Sequence, residues 1–154
     1  MKKIIYIDLD DTIFKYKEKL IAMKKAFPKQ PYPQSSVHFF YNLEPFEDAI
    51  DVINWLFSKE EFDVWFLTAP SKENTLCYTE KRLSLDKHFG SDIGYRMIIS
   101  PNKGLNKGHY LIDDITEGKG QEEFEGKILQ FGTEDFPDWQ SIKKYFETLI
   151  SYKA

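Results

Sequence analysis

Two aspartates, spaced two positions apart, follow a short apolar run near the start of the chain. Residues 4–7 are apolar, and Asp8 and Asp10 come directly after them. If the extended geometry continues, both side chains point the same way. Close carboxylates repel each other, which favours a divalent cation between them or a raised pKa on one. With no His or Cys nearby, oxygen ligands point to Mg²⁺ rather than zinc. A strand followed by an Asp-rich turn is the alternative, and the pair alone does not decide.

Other polar residues that suit phosphate chemistry follow further apolar runs. Thr68 ends one run, where its hydroxyl could donate to a phosphate oxygen or bond its own backbone. Asp113 and Asp114 follow another run, although aspartates also begin turns. Lys103 lies in a loop between runs and, taken alone, is typical of an exposed surface lysine, with Lys107 as a competitor for any cationic role. Each residue is a weak signal by itself.

The elements around these residues alternate between strands and helices. Short apolar runs predict buried strands, and apolar residues at helical spacing predict helices. The predicted strands cover 4–7, 62–67, 97–99, 110–112 and 127–131, and the predicted helices cover 16–27, a segment opened by Pro45, 73–88 with Gly90 as its cap, and a last helix capped by Asp138. This order predicts a Rossmann-like α/β fold, with a parallel sheet covered on both faces.

The predicted fold gathers the polar residues at one edge of the sheet. The carboxyl ends of parallel strands form the edge where ligands bind. Four aspartates there carry a formal charge of −4, which would repel a phosphate dianion. A bound Mg²⁺ and the Lys103 ammonium would offset that charge and stabilise the charge that develops during phosphoryl transfer. Taken together, the four aspartates, Thr68 and Lys103 therefore predict a phosphoryl-transfer site.

The stretch 8–12, Asp-Leu-Asp-Asp-Thr, resembles the first motif of the haloacid dehalogenase-like hydrolase superfamily. Thr68, Lys103 and the pair Asp113-Asp114 match its second, third and fourth motifs in order. More narrowly, the chain resembles the 5′(3′)-deoxyribonucleotidases over most of its length. The supporting stretches are 39–45, 67–70, 78–81, 88–90, 103–105 and 111–114. Asp11 departs from this pattern, because these nucleotidases often carry Gly there.

The resemblance implies a role for each matched residue. Asp8 would be the nucleophile and Asp10 the general acid and base. Mg²⁺ would be held by the Asp8 carboxylate, the Asp10 carbonyl and the last acidic pair, with Asp114 favoured as direct ligand and Asp113 as support. Thr68, Lys103 and Lys81 would hold the phosphate, although Lys81 could equally be an exposed helical lysine. Tyr16 and Ala69 match positions near the base or sugar of the substrate.

The resemblance also implies the domain organisation and the substrate. We expect a single domain over 1–154 with a small helical cap, in which 15–45 is a reduced insert. The expected reaction is Mg²⁺-dependent dephosphorylation of nucleoside monophosphates through an aspartyl phosphate. The alternative is another small phosphate ester, because the cap is short. Phe39, Phe40 and Tyr41 could sandwich the base, but core packing is the expected role for these aromatic residues.

Composition excludes several other function classes. The 154 residues carry a formal charge of −4, which gives no electrostatic argument for binding a nucleic-acid polymer, since such binding usually needs a basic face. The N-terminal apolar run is too short for a membrane span or a signal-peptide core. A single cysteine, Cys77, is compatible with a reducing cytoplasm. We therefore expect a cytoplasmic enzyme with a small-molecule partner, and a homodimer is one option for its assembly.

Two non-hydrolase classes compete with this interpretation. A signalling receiver domain also forms an aspartyl phosphate, but its phosphorylated Asp ends a mid-chain strand, where this chain has Thr68. A catalytically inert relative that keeps only the fold is the other class. All four motifs are intact, so the sequence gives no sign of such decay.

Overall fold

The central element of the fold is an all-parallel, five-stranded sheet. The computed structural model describes residues 1–151. The strands follow the spatial order β3-β2-β1-β4-β5. They are β1 Lys3–Ile7, β2 Phe62–Thr68, β3 Met97–Ile99, β4 Tyr110–Asp113 and β5 Lys127–Gln130. The predicted Rossmann-like parallel sheet flanked by helices is therefore confirmed.

The helices connect these strands or follow the last of them. They are α1 Tyr16–Ala26, α2 Ala49–Phe57, α3 Cys77–Phe89, α4 Ser91–Gly94 and α5 Trp139–Ser151. Short 3₁₀ turns occupy Pro33–Ser35, Lys103–Leu105 and Gln121–Glu123. Within the described part of the chain, none of the helices combines the length and the apolar character that crossing a membrane requires.

Two predicted helix starts are wrong, and both true starts lie further along the chain. α2 begins at Ala49 rather than Pro45, because Pro45 pairs with Phe14 in an isolated bridge. α3 begins at Cys77 rather than near residue 73, where the chain forms turns. The predicted cap at its other end is confirmed: Gly90 has a φ of 81° and donates its N–H to Asp86.

β1 lies at the point where the direction of strand addition reverses. Its neighbours are β2 on one side and β4 on the other, both parallel to it. A crevice forms at such a point because the connections leave the two neighbouring strands in opposite directions. Ligands bind in this crevice in open α/β sheets, so the topology assigns a binding edge to the carboxyl ends of β1, β2 and β4.

Alternate residues of the strands face two separate apolar clusters. Ile5 and Ile7 of β1 belong to the larger cluster, which includes residues of all five helices. Tyr6, between them, belongs to a smaller cluster with Leu111 of β4 and no helical residue. Because strand side chains alternate between faces, the two clusters lie on opposite sides of the sheet. The helices therefore pack against one face.

The second face is covered less thickly than the element alternation predicts. Its cover includes Phe124, which is 7% exposed and packs edge-on against Tyr6. The connection before β4 holds only a 3₁₀ turn, and so does the connection that carries Phe124. Although its neighbours are acidic, Phe124 is buried, and its ring completes this cluster.

The segment predicted to be a reduced cap, 15–45, contains α1 and one 3₁₀ turn. Its end is attached to α3 by Glu80, whose carboxylate accepts the N–H groups of His38 and Phe40 at 2.6 and 3.0 Å. Phe39 and Phe40 are 1% and 2% exposed, so the expected core-packing role of these two rings is confirmed. The segment is thus packed onto the body of the fold.

The loop after β1 is a tight turn closed by its own backbone. The carbonyl of Leu9 accepts the N–H groups of three residues, and Asp11 adopts a φ of 60°. This left-handed conformation suits Gly best and tolerates Asp, which explains how Asp11 replaces the usual glycine. Trp139 of α5 holds the loop from below, because its indole N–H donates to the Thr12 carbonyl at 3.0 Å.

We expect Trp139→Phe to lower the free energy of unfolding by about 1–3 kcal/mol, because it leaves the buried Thr12 carbonyl without a donor. Urea unfolding followed by far-UV circular dichroism measures this change. The matched control is Trp65→Phe, which removes an indole hydrogen bond to the half-buried Asp63. An equal loss in both variants would contradict a specific role for the bond to Thr12.

Candidate active site

Asp8 lies at the carboxyl end of β1 and is only 5% exposed. Its backbone N–H donates to the carbonyl of Ile112 at 2.9 Å, which extends the pairing between β1 and β4. Its side chain accepts the Thr12 hydroxyl at Oδ2, at 3.2 Å. The strand pairing and this hydrogen bond together hold the Asp8 carboxylate at the sheet edge.

Lys103 lies between two aspartates from neighbouring strands. Its Nζ is 2.6 Å from Asp8 Oδ1 and 2.5 Å from Asp113 Oδ2. The lysine is 2% exposed, so the interpretation of Lys103 as a surface lysine is wrong. Lys107, the competing lysine, does not line the cavity above Asp8. Burial alone would lower the pKa of Lys103, but Asp8 and Asp113 raise it above its ordinary value.

Lys81 of α3 forms a second buried cationic centre beneath Asp10. Its Nζ donates to Asp10 Oδ2 and to the Thr68 hydroxyl, both at 2.8 Å, and to the Ala69 carbonyl at 2.6 Å. Lys81 is 1% exposed, so the alternative of an exposed helical lysine is wrong. The Thr68 hydroxyl also donates to the Ala69 carbonyl at 3.4 Å, so Thr68 makes the local backbone bond that its position allowed.

Asp114 lies beside the buried carboxylates but is less enclosed than Asp113. Its Oδ2 accepts Lys17 Nζ at 3.3 Å, and the same ammonium is 3.8 Å from Asp11. Asp113 is fully buried and has donors on both oxygens, from Lys103, Gln121 and the N–H of Ile115. Asp114 therefore has the more available carboxylate of this pair.

The ion-paired groups of the site carry an excess of negative charge. Five aspartates pair with three lysines, which leaves a formal charge of −2 when all of them ionise. Burial raises the pKa of Asp10, and Asp8 raises it further, while Lys81 opposes the shift. Burial and Asp8 likewise raise the pKa of Asp113 to about 7. These carboxyl groups resist losing their protons because burial disfavours the charged form and the nearby Asp8 carboxylate repels it.

The residues present fit a divalent cation. Asp8, Asp113 and Asp114 each offer a carboxylate oxygen, and these atoms lie within 4.8 Å of one another. An oxygen-only donor set matches a hard cation such as Mg²⁺. A divalent ion would also offset the formal charge of −2. Asp10 directs its carboxylate to Lys81 instead, so its side chain is not part of this cluster.

A cavity of about 370 Å³ opens above these carboxylates. Most of the predicted site residues line it, namely Asp8, Asp10, Tyr16, Ala69, Lys103, Asp113 and Asp114. The exceptions are Thr68 and Lys81, which are buried beneath it. Lys81 donates to Asp10, to the Thr68 hydroxyl and to the Ala69 carbonyl. The structure therefore brings the predicted residues together but places these two beneath the cavity.

Several further residues line the cavity without having been predicted. They are Lys17, Gln34, Ser71, Lys72, Glu73, Lys119 and Gln121, together with less polar neighbours. Lys17 lies in the first turn of α1, and the others lie in connecting segments, where no periodic pattern marks them. The Gly-Lys-Gly triplet around Lys119 was the visible signal, but it lacks the spacing of a phosphate-binding loop.

No protein-family model matches the chain. A protein of Vibrio phage KVP40 with the provisional name 5′(3′)-deoxyribonucleotidase is 33% identical over 147 residues, which cover 94% of this chain and 84% of the relative. The chain belongs to the 5′(3′)-deoxyribonucleotidase family. This family consists of phosphatases, so the predicted superfamily and enzyme class are confirmed. The alternative interpretation as a signalling receiver domain is therefore wrong.

The nucleotidase family extends to mammals, with matches over a shorter region. The mouse mitochondrial 5′(3′)-deoxyribonucleotidase is 31% identical over 87 residues, which cover 56% of this chain and 40% of the mouse protein. The human cytosolic enzyme is 32% identical over 85 residues, covering 55% of this chain and 42% of the human protein. The matched region is thus less than half the length of these mammalian relatives.

We expect the stability of the metal-free protein to fall as the pH rises from about 4 to about 7. The folded state raises the pKa of Asp113 to about 7, whereas an unfolded aspartate has a pKa of about 3.9. The folded state therefore binds the proton more tightly, and this stabilisation is lost as the pH rises through the folded pKa. Thermal midpoints measured in EDTA should show a smaller fall for Asp113→Asn.

The matched control for this pH profile is Asp92→Asn, which changes an exposed aspartate that does not line the cavity. It should leave the profile of the wild-type protein unchanged. A profile for Asp113→Asn that parallels the wild type over the whole range would contradict the role assigned to Asp113.

Proposed function

We propose that the protein hydrolyses nucleoside monophosphates, of the deoxy or ribo series, in a Mg²⁺-dependent reaction through an aspartyl phosphate on Asp8. The observation that carries this proposal is the group of Asp8, Lys103 and Asp113 at the carboxyl ends of β1 and β4. The Asp8 carboxylate is paired with the Lys103 ammonium and lies beneath an open cavity. This arrangement suits attack on a phosphate ester. Membership of the nucleotidase family supports the same reaction.

In the first step, an oxygen of the Asp8 carboxylate attacks phosphorus. The bond between phosphorus and the ester oxygen of the nucleoside breaks, and Asp10 gives its proton to that leaving oxygen. The raised pKa of Asp10 supports this role, because the carboxyl group keeps its proton to a higher pH than an ordinary aspartate. The products of this step are the free nucleoside and a phosphorylated Asp8.

In the second step, water attacks the phosphorus of the aspartyl phosphate. Asp10, now ionised, accepts a proton from that water. The acyl phosphate bond breaks, which restores the Asp8 carboxylate and releases inorganic phosphate. Lys81 keeps Asp10 in place through both steps, since its Nζ lies 2.8 Å from the carboxylate and is itself held by Thr68 and the Ala69 carbonyl.

Charge on the phosphate group must be offset throughout this cycle. We assign Lys103 to the phosphate oxygens, with Thr68 and Lys81 supporting the same end of the substrate. Asp8, Asp114 and the Asp10 carbonyl would hold Mg²⁺, and Asp113 would support them. The bound metal would supply positive charge against the phosphoryl group.

The nucleoside would lie against the outer wall of the cavity. Tyr16 presents an aromatic ring there, and Ala69 and Gln34 line the cavity as well. Tyr16 is positioned by stacking on Phe40, with ring centroids 5.9 Å apart. We propose that 15–45 serves as the reduced cap and that Tyr16 takes the base or sugar. The cytoplasmic location and the homodimer stay predictions.

A second candidate substrate is another small phosphate ester. The specific observation in its favour is that Phe39 and Phe40 are buried, and neither lines the cavity. A base sandwiched between two rings would need a second aromatic wall opposite Tyr16. Among the residues described, Tyr16 is the single aromatic residue on the cavity wall. The phosphate chemistry of the two candidates is identical.

We expect Asp8→Asn to lower kcat by more than about 1,000-fold, because the amide cannot serve as the nucleophile. Release of inorganic phosphate from dUMP measures this loss, and circular dichroism verifies the fold. The control is Asp92→Asn, which carries the same substitution outside the cavity. A phosphatase rate for Asp8→Asn close to that of the wild type would refute the mechanism.

We expect dUMP and dTMP to be hydrolysed with a higher kcat/KM than sugar phosphates, since Tyr16 offers a ring to the base. A panel of phosphate esters, assayed with Mg²⁺, tests this preference. Addition of EDTA should abolish turnover of every ester, and Mg²⁺ should restore it. If sugar phosphates react far better than both nucleotides, the second candidate substrate is correct and the nucleotidase proposal fails.

A further inference from the structure

Gln121 is a buried amide on the wall of the cavity with no assigned role in the reaction. It is 1% exposed and opens the 3₁₀ turn Gln121–Glu123, in which Glu122 and Glu123 are exposed. A fully buried amide in an otherwise charged, exposed turn requires hydrogen-bond partners for both of its ends. The identity of those partners connects this turn to the chemistry at the sheet edge.

The two ends of the amide have different and well-defined partners. The oxygen Oε1 accepts the backbone N–H of Lys119 at 2.8 Å. Since a backbone N–H only donates, the nitrogen Nε2 must be the end that faces Asp113, and it donates to Oδ2 at 3.1 Å. That oxygen also accepts Lys103 Nζ, so Gln121 and Lys103 hold the same carboxylate oxygen.

The same segment also holds the backbone of Lys103. The N–H of Lys103 donates to the Lys119 carbonyl at 2.7 Å. Gly120 follows with a φ of 84°, and a Cβ there would lie 1.8 Å from the Asn102 side-chain oxygen and 2.9 Å from the Lys103 nitrogen. Only glycine allows this approach. The segment 118–121 therefore packs against the backbone of the lysine, and Gln121 holds its ion-pair partner.

We propose that Gln121 is a positioning residue that, through Asp113, holds Lys103 against Asp8 and keeps Asp113 from acting as a direct metal ligand. Its donor, with the N–H of Ile115 and the Lys103 ammonium, occupies both oxygens of Asp113. Direct coordination then falls to Asp8 and Asp114. The part of this inference that concerns catalysis rests on the proposed phosphatase function, and the part that concerns metal binding does not.

Gln121→Glu separates the two hydrogen bonds of the amide. The glutamate keeps an oxygen for the Lys119 N–H but replaces the donor to Asp113 with a second carboxylate. Turnover of an aryl phosphate should fall about 10- to 100-fold in kcat, as for other residues that orient a ligand, with KM changed less than about threefold. Mg²⁺ titrated calorimetrically without substrate should bind more tightly, because Asp113 Oδ2 loses one of its two donors and negative charge is added.

Gln121→Met is the second variant, in case the glutamate prevents folding. It removes both hydrogen bonds without adding charge, and kcat should fall while KM stays within about threefold of the wild-type value. The matched control is Gln140→Glu, because Gln140 also donates its amide to an aspartate, Asp48, at 3.0 Å, but on the exposed surface. This control should leave kcat and the Mg²⁺ affinity unchanged.

The proposal is overturned if either Gln121 variant keeps kcat within about twofold of the wild type. It is also overturned if Gln121→Glu binds Mg²⁺ no more tightly than the wild type. If the wild-type protein hydrolyses no phosphate ester, the proposed function fails, and calorimetry with Mg²⁺ alone still decides the claim about Gln121.

Discussion

The structure depends on how the negative charge of buried carboxylates is compensated at one edge of a parallel sheet. β1 and β4 are neighbours, so the aspartates at their ends converge, and Lys103 lies between Asp8 and Asp113 at 2.6 and 2.5 Å. All three residues are almost fully buried. Removing one partner of such a group would leave an uncompensated buried charge, which is strongly unfavourable. The loop that carries Lys103 is therefore as necessary to the edge as the strands themselves.

The lysines that compensate the edge come from three different parts of the chain. Lys17 belongs to α1, Lys81 to α3, and Lys103 to the loop before β4. Each one pairs with an aspartate that another segment supplies, so the ion pairs join elements distant in sequence. They still leave a formal charge of −2, and this deficit is the physical basis for expecting a divalent cation. This deficit supports the proposal that a divalent cation completes the site.

The end of the cavity that we propose for the phosphate is built differently from the end that we propose for the nucleoside. Around Asp8, the charged side chains of Lys103, Asp113 and Asp114 are held by ion pairs. The outer wall comes from 15–45 and the loop after β2, where Tyr16 lines the cavity and Phe39 and Phe40 are used for packing. In the proposed function, the sheet edge sets the reaction type and short connecting segments set the choice of substrate.

The sequence alone determined the parallel sheet, the position of each strand and the polar residues that follow them. These features depend on local patterns: apolar runs, helical spacing and motif order. Tertiary structure decided what local patterns do not encode. It buried Lys81 and Lys103 and placed Thr68 beneath the cavity. It also paired Pro45 with Phe14, so that α2 begins later, and brought Gln121 to Asp113 from a turn with two exposed glutamates. No sequence pattern predicts such contacts, because a lysine or a glutamine can lie either in water or in a buried network that satisfies all of its hydrogen bonds. Only the packing of the connections around the sheet edge selects between the two.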